Sequence, residues 1–296
     1  MEQNKRSGDS NHITREYFDS LLIEMRHIDS VIPSTVFKLY GETFSTPIMT
    51  AALSHLDKCR TNGTVEMAKG ALASGAVMWI GMGSEAELDS IIATGAKTIK
   101  IIKPNADNDM TFRKIEHAEK SGAIAVGMDI DHAFNSRGQY DNVLGDPMTS
   151  KTLDEIRSFI KATKLPFIVK GVLSEQDTYK YLEAGVRGIV VSHHHGIQDF
   201  AIPPLMILPK IAKIVNHSIP IFVDCGISSG MDVFKALALG ADAVCVGRTL
   251  MNAMTEEGAV GVQKRIEAMT GEMAGAMART CSKDITHIDS TVIWNR

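Results

Sequence analysis

The stretch VVSHHHGIQ, Val190 to Gln198, ends a short β-branched run in three consecutive histidines and a glycine. Imidazoles in such a place bind a metal, act as a base with an orienting partner, or simply pack. A metal needs several convergent ligands. Consecutive histidines lack the i, i+4 helical spacing of a two-histidine zinc site, although Asp129 and Asp131 in MDIDHAF could complete one. A base is the simpler chemistry, because histidine exchanges protons near neutral pH and a carboxylate stabilises the imidazolium it becomes. Alternation along a strand lets only some of His193, His194 and His195 face one side.

Lys170 closes the run PFIVK. A buried lysine is rare unless paired or functional, so it holds an anion, forms a Schiff base, or pairs with Asp129 or Asp131. Further along, VDCGISSGMDVFKALALGADAVCVGR contains two glycine turns that each follow a strand. Such turns bring backbone N–H groups close to an anion, and the helix N-terminus that follows adds a favourable dipole. Gly226, Ser228, Ser229, Gly247 and Arg248 supply the parts of a phosphate cradle. On the plainer alternative, Gly226 and Gly230 only turn the chain and Arg248 is a surface cation.

These residues need elements to hold them. Short apolar or β-branched runs recur at 47–52, 76–81, 98–103, 123–129, 166–170, 188–192, 220–224 and 243–247, after Gly-Ala or Pro punctuation. Between them lie helical segments such as EAELDSIIAT and EQDTYKYLEA, each closing near a glycine suited to a helix C-cap. Continuous apolar strands alternating with helices imply a parallel sheet covered on both faces, and eight units match a closed (β/α)8 TIM barrel. An open doubly wound sheet is the alternative. Nothing marks a second domain, so we expect a flexible N-terminus over 1–12 and one barrel over 13–296. In a barrel, chemistry sits on the loops after the strands, where the polar residues gather here.

Composition narrows the function. The chain has 296 residues, 44% of them hydrophobic and 22% charged, with a net charge of −4. That balance is globular, offers no basic face for nucleic acid, and includes no apolar run of the roughly 18–20 residues a membrane span needs. The opening MEQNKRSGDSN lacks the apolar centre of a secretory signal, and the four cysteines form no CxxC pair. The expectation is a cytoplasmic protein with reduced thiols.

The segments IVKGVLSEQDTYKYLEAGVRGIVVSHHHGIQ and IPIFVDCGISSGMDVFKALALGADAVCVGR resemble the FMN-dependent 2-hydroxy acid oxidoreductases, the family of glycolate oxidase and lactate oxidase. The N-terminal half matches more thinly, through TVFKLYGETFSTPIMTAAL. The chain reads as a divergent, N-terminally shortened member, too short for the family's segment bearing a substrate-contacting tyrosine. The resemblance implies an FMN-binding barrel that oxidises a 2-hydroxy acid or related hydroxylated acid by hydride transfer to flavin N5. It casts His194 as the base, Asp131 as the carboxylate behind it, and Lys170 as the cation at the flavin N1–O2 edge. Asp224 would contact the ribityl chain and Gly226, Gly247 and Arg248 the phosphate, with Ser192 in the cofactor set and Ser228 where the family has an arginine.

The substrate side departs from the pattern. Ile197 replaces the arginine that clamps the substrate carboxylate, Lys103 and Asn105 replace a glutamine and a tyrosine, and Ala52-Leu53-Ser54 replaces Pro-Thr-Ala. A second family arginine has its nearest counterpart in Arg137. That leaves Arg137, Lys103, His193, His195 and Ile197 to meet the substrate. The expectation is an FMN enzyme, with no metal, acting as a homo-oligomer on a small hydroxylated acid. Its alternatives are a flavin-barrel isomerase or reductase, a non-catalytic FMN or phosphate binder, and a metal-dependent barrel. An IMP dehydrogenase-type site would need a nucleophilic cysteine in a Gly-Ser loop after strand six, which this sequence lacks.

Overall fold

The computed structural model describes residues 8–296. Eight strands form its main sheet: β1 (Ile48–Thr50), β2 (Met78–Ile80), β3 (Thr98–Ile102), β4 (Ala125–Asp129), β5 (Phe167–Val172), β6 (Gly188–Val191), β7 (Ile221–Val223) and β8 (Ala243–Val246). Each lies within a run expected from the sequence, save that β5 continues past Lys170 to Val172. The order is β1-β8-β7-β6-β5-β4-β3-β2, with every pair parallel. A parallel bridge between Leu53 and Ile80, and Thr50 N–H donating to the Val77 carbonyl at 3.1 Å, close β1 onto β2. The open-sheet alternative is thereby set aside.

Period-2 alternation splits the strands between two cores. Met49, Trp79, Ile99, Ile101, Ala125, Ile168, Val190, Phe222 and Cys245 fill the barrel, where Trp79 and Phe222 meet edge-on at 5.2 Å. Ile48, Met78, Ile102, Met128, Val169, Val191 and Val223 face the helices. A hairpin of Phe37–Leu39 and Glu42–Phe44 packs on the inner core, and Tyr40 Oη donates to the carbonyl of Arg187, just before β6. It plugs the N-terminal end of the barrel and leaves the C-terminal mouth as the open one.

The helices are α1 (Ser10–Ser20), α2 (Gly63–Ala73), α3 (Glu85–Ile92), α4 (Asn108–Ser121), α5 (Leu153–Lys161), α6 (Glu175–Ala184), α7 (Pro204–Val215), α8 (Gly230–Ala238) and α9 (Arg248–Ala278). Ser84, Asp107, Thr152, Ser174 and Ser229 accept N–H bonds at the first turns that follow them, and Gly122 and Gly185 end α4 and α6 in the left-handed region. Residues 1–7 of the expected flexible opening lie outside the described residues. Residues 10–12 stand in α1, with Ser10 buried. Helix α9 is two helices joined at Gly258 (φ 64°), where Glu66 Oε2 accepts the N–H of Ala259.

Candidate active site at the C-terminal mouth

Alternation decides what enters the mouth. Lys103, Asp129, Lys170, Ser192 and Asp224 each lie two residues beyond an inward-facing neighbour: Ile101, Gly127, Ile168, Val190 and Phe222. Asp129, Lys170, Ser192 and Asp224 are buried. At the end of β5, Lys170 Nζ lies 3.0 Å from Asp129 Oδ1 and 3.5 Å from Asp224 Oδ2. Burial alone would favour neutral Lys170, but the carboxylates of Asp129, Asp224 and Asp131 outweigh it and hold the ammonium well above the ordinary lysine value. Burial likewise opposes ionisation of Asp129, and Lys170, then Lys103, outweigh it and hold that carboxyl far below its usual range.

His194 meets this cluster from the turn after β6. Its Nδ1 lies 2.8 Å from Asp131 Oδ1 and 3.7 Å from Asp129 Oδ1. A carboxylate only accepts, so Nδ1 carries the proton, and Nε2 presents a lone pair with no partner among the described residues. Two devices build this contact. Gly171, at φ +99° beside a register shift in β5, lets Asp131 approach, since a Cβ there would lie 2.4 Å from the Asp131 carboxyl carbon. On the histidine side, His194, His195 and Gly196 are left-handed in succession, an unfavourable backbone for the two histidines that Ser192 Oγ helps fix by accepting the His194 N–H at 3.0 Å.

The other histidines go elsewhere. His193 is buried on the α1 side of the turn. Gly196 N–H donates to its Nδ1 at 2.9 Å and its Nε2 bonds Thr14 Oγ1 on α1 at 2.8 Å, which corrects the expectation that it contacts substrate. His195 is exposed, with Nδ1 bonded to Asn11 Oδ1 at 2.7 Å. Arg137 and Ile197 are exposed as well; Arg137 sits in a turn where its backbone N–H donates to Asn135 Oδ1. Lys103 is inside the cluster, with Nζ 2.7 Å from both Asp129 Oδ2 and His132 Nδ1.

At the phosphate turns the expectation needs one correction. Ser228 donates its N–H and its hydroxyl to Asp232 Oδ2, at 3.0 and 2.9 Å, and Arg15 of α1 pairs with the same carboxylate. The anion position at the start of α8 is therefore filled by the chain's own Asp232. The turn after β8 differs. Gly247 caps α9 with no side-chain bond, and exposed Arg248 beside it hydrogen-bonds, among the described residues, only Asn11 Oδ1, at 3.4 Å. Cys225 occupies a left-handed position (φ 68°), with Sγ 2.9 Å from Asp224 Oδ1. Burial and Asp224 push this thiol up, so it stays protonated.

FMN fits this donor set. Arg248, the uncapped start of α9 and the left-handed Gly226 turn suit its phosphate, Asp224 its ribityl hydroxyls, and Lys170 an electron-rich ring edge. Buried side-chain oxygens without a hydrogen-bond partner among the described residues also collect here, on Asn105 and Asp131, as acceptors left for a ligand. A metal fits less well. Ligand atoms of Asp129, Asp131 and His194 lie within 4.8 Å of one another, but two ammonium groups already neutralise Asp129. Arg248→Ala should therefore weaken FMN retention about tenfold, the lower end of a charge-assisted phosphate contact because the side chain is exposed. Dialysis followed by absorbance checks this; full occupancy would count against the phosphate position.

Sequence reading did not single out Asn11, Thr14 or Arg15 of α1, nor Asp141, which bonds His132 Nε2 at 3.1 Å. No local signal marks them, because each acts on a turn distant in the chain.

Known proteins share this architecture. The family model described as FMN-dependent dehydrogenase matches residues 1–151 and, in an overlapping second match, 135–295. A peroxisomal (S)-2-hydroxyacid oxidase of Arabidopsis thaliana is 29% identical over 275 residues, covering 81% of this chain and 76% of that protein. An L-lactate oxidase of Alicycliphilus denitrificans is 28% identical over 291 residues, covering 86% and 80%. Among solved structures, a mandelate oxidase variant with a monooxide FMN adduct matches at a TM-score of 0.89 and 25% identity, covering 99% of this chain and 93% of that one.

Proposed function

This chain belongs to the FMN-dependent dehydrogenase family, and from that premise we propose that it oxidises the hydroxyl-bearing carbon of a 2-hydroxy acid to a 2-oxo acid. The observation that carries the reading is the His194–Asp131 pair, which fixes the proton on Nδ1 and leaves Nε2 to accept one. When bound, FMN supplies the acceptor for the carbinol hydrogen and its two electrons. The chain does the rest. His194 Nε2 takes the hydroxyl proton, and Asp131 holds the ring in that tautomer and stabilises the imidazolium. Lys170, kept charged by three carboxylates, offers positive charge where electron density accumulates. The same reading takes the protein as a cytoplasmic homo-oligomer. Among the described residues, no helix is long and apolar enough to cross a membrane.

Ile197 shapes the substrate. A guanidinium fork recognises a carboxylate by two parallel N–H···O bonds, and isoleucine offers neither. Instead the loops after β4 and β6 expose apolar groups: Phe134 stacked on Tyr140 with centroids 5.2 Å apart, and Leu144, Ile197, Phe200 and Ile202. We expect the preferred acid to carry apolar or hydroxylated bulk. The test mixes the FMN-loaded protein anaerobically with hydroxy acids of increasing size and follows flavin bleaching. Fastest bleaching by lactate or glycolate at micromolar concentration would overturn the size expectation, and no bleaching by any acid would overturn the function. Ile197→Arg should shift preference toward the small acids.

A further inference from the structure

We infer that Lys103 is the cation that receives the substrate carboxylate, and that His132 and Asp141 are positioning residues that aim it. The inference rests on the 2-hydroxy acid reading and assigns the clamp that Ile197 cannot provide. It starts from donor bookkeeping. An ammonium has three N–H donors and no acceptor. Two go to Asp129 Oδ2 and His132 Nδ1, each at 2.7 Å, and the third has no acceptor among the described residues.

The partners of Lys103 are themselves fixed. Because Lys103 can only donate, His132 Nδ1 must accept, which places the His132 proton on Nε2, facing Asp141 Oδ2 at 3.1 Å. Burial, then the charge of Lys103, lower the pKa of His132 and keep it neutral for this role. Asp129 is shared with Lys170, so its charge is not spent on Lys103 alone. The lysine is thus gripped by two partners, with one donor left over.

One of those partners, His132, stands next to the base. The His132 ring stands edge-on to the His194 ring, at 81° with centroids 4.9 Å apart. In a 2-hydroxy acid the hydroxyl sits on the carbon bonded to the carboxylate carbon, so a hydroxyl at His194 and a carboxylate at Lys103 span neighbouring carbons, which suits this juxtaposition. The Lys103 side chain is 11% exposed, so its charge acts where water screens little. Arg137 on its exposed turn lacks that advantage.

The test uses the FMN-loaded full chain and oxalate, a carboxylate that the reaction cannot consume, with binding read from the change in the flavin spectrum. Lys103→Gln should weaken oxalate at least roughly tenfold and raise KM more than it lowers kcat, while a neutral 2-hydroxy amide binds as before. Lys103→Arg should recover part of the loss. Asp141→Asn, whose partner His132 then has a looser hold, should give a smaller loss of the same kind with FMN content unchanged, which keeps the test open if Lys103→Gln folds poorly. Oxalate binding equally tight in both Lys103→Gln and Asp141→Asn, in a protein whose wild type is bleached by hydroxy acids, would overturn the clamp and leave the oxidation standing. Oxalate binding that depends on Lys103, in a protein that no hydroxy acid bleaches, would uphold the clamp and sink the oxidation.

Discussion

Replacing His194 with alanine is expected to leave the protein yellow and to slow anaerobic, substrate-driven flavin reduction by about 10²-fold or more, the range of general base catalysis. The groups assigned to the cofactor sit at the ends of β5, β7 and β8, whereas His194 arrives from the turn after β6. Cofactor retention and chemistry should therefore separate. The side chain is 23% exposed and its ring is held from one side by Asp131, so its removal disturbs little packing. Stopped-flow absorbance with the best acid from the size panel measures the effect, and FMN content of the purified variant provides the control. An unchanged reduction rate would remove His194 from the mechanism. Loss of FMN together with activity would show that the histidine turn holds the cofactor instead.

Asp129→Ala should be the most destabilising change in the site, at about 3–5 kcal/mol, because it removes the carboxylate shared by two little-exposed cations and leaves Lys170 the longer contact to Asp224. Lys103 and Lys170 are 11% and 8% exposed at the side chain and share this one carboxylate, itself 4% exposed. Denaturant midpoints of the wild type and the variant check the value. A loss under about 1 kcal/mol would mean that the lysines find other partners, or shed their protons, at little cost. The pH dependence follows from the same group. Its folded-state pKa is held below the ordinary carboxylate value, so the stability it confers is fully present above about pH 4. That contribution is lost as pH falls from there toward the depressed folded value. Acidification over that window should narrow the gap between the wild type and Asp129→Ala.

Much of this was legible along the chain. The barrel could be read because a parallel strand buried on both faces is a continuous apolar run, and a helix between two such runs carries its own caps; both signals are local. The strand ends then named Lys170, Asp129, Asp224 and the histidine turn, since alternation from an apolar strand fixes which side chains turn inward. Alternation also held that the three histidines could not all share a face, but not which would face in. The choice of His194 over its neighbours required Asp131 from another loop, the opening at Gly171 that admits it, and Thr14 of α1 taking His193 on the far side. Ser228 was misread for the same reason. Whether a serine at a helix start meets a ligand or a carboxylate of its own helix depends on where Arg15, more than 200 residues earlier, comes to rest. Lys103 and His132 were visible as residue types, but their grip on each other, with Asp141 behind, exists only after β3 and the long loop following β4 come together. Sequence by itself determined the architecture and the strand ends that carry chemistry, because those follow from periodicities of a few residues. Tertiary structure alone decided which polar atoms are already satisfied and which are left for a ligand, because hydrogen-bond partners are chosen by distance in space and not by distance along the chain.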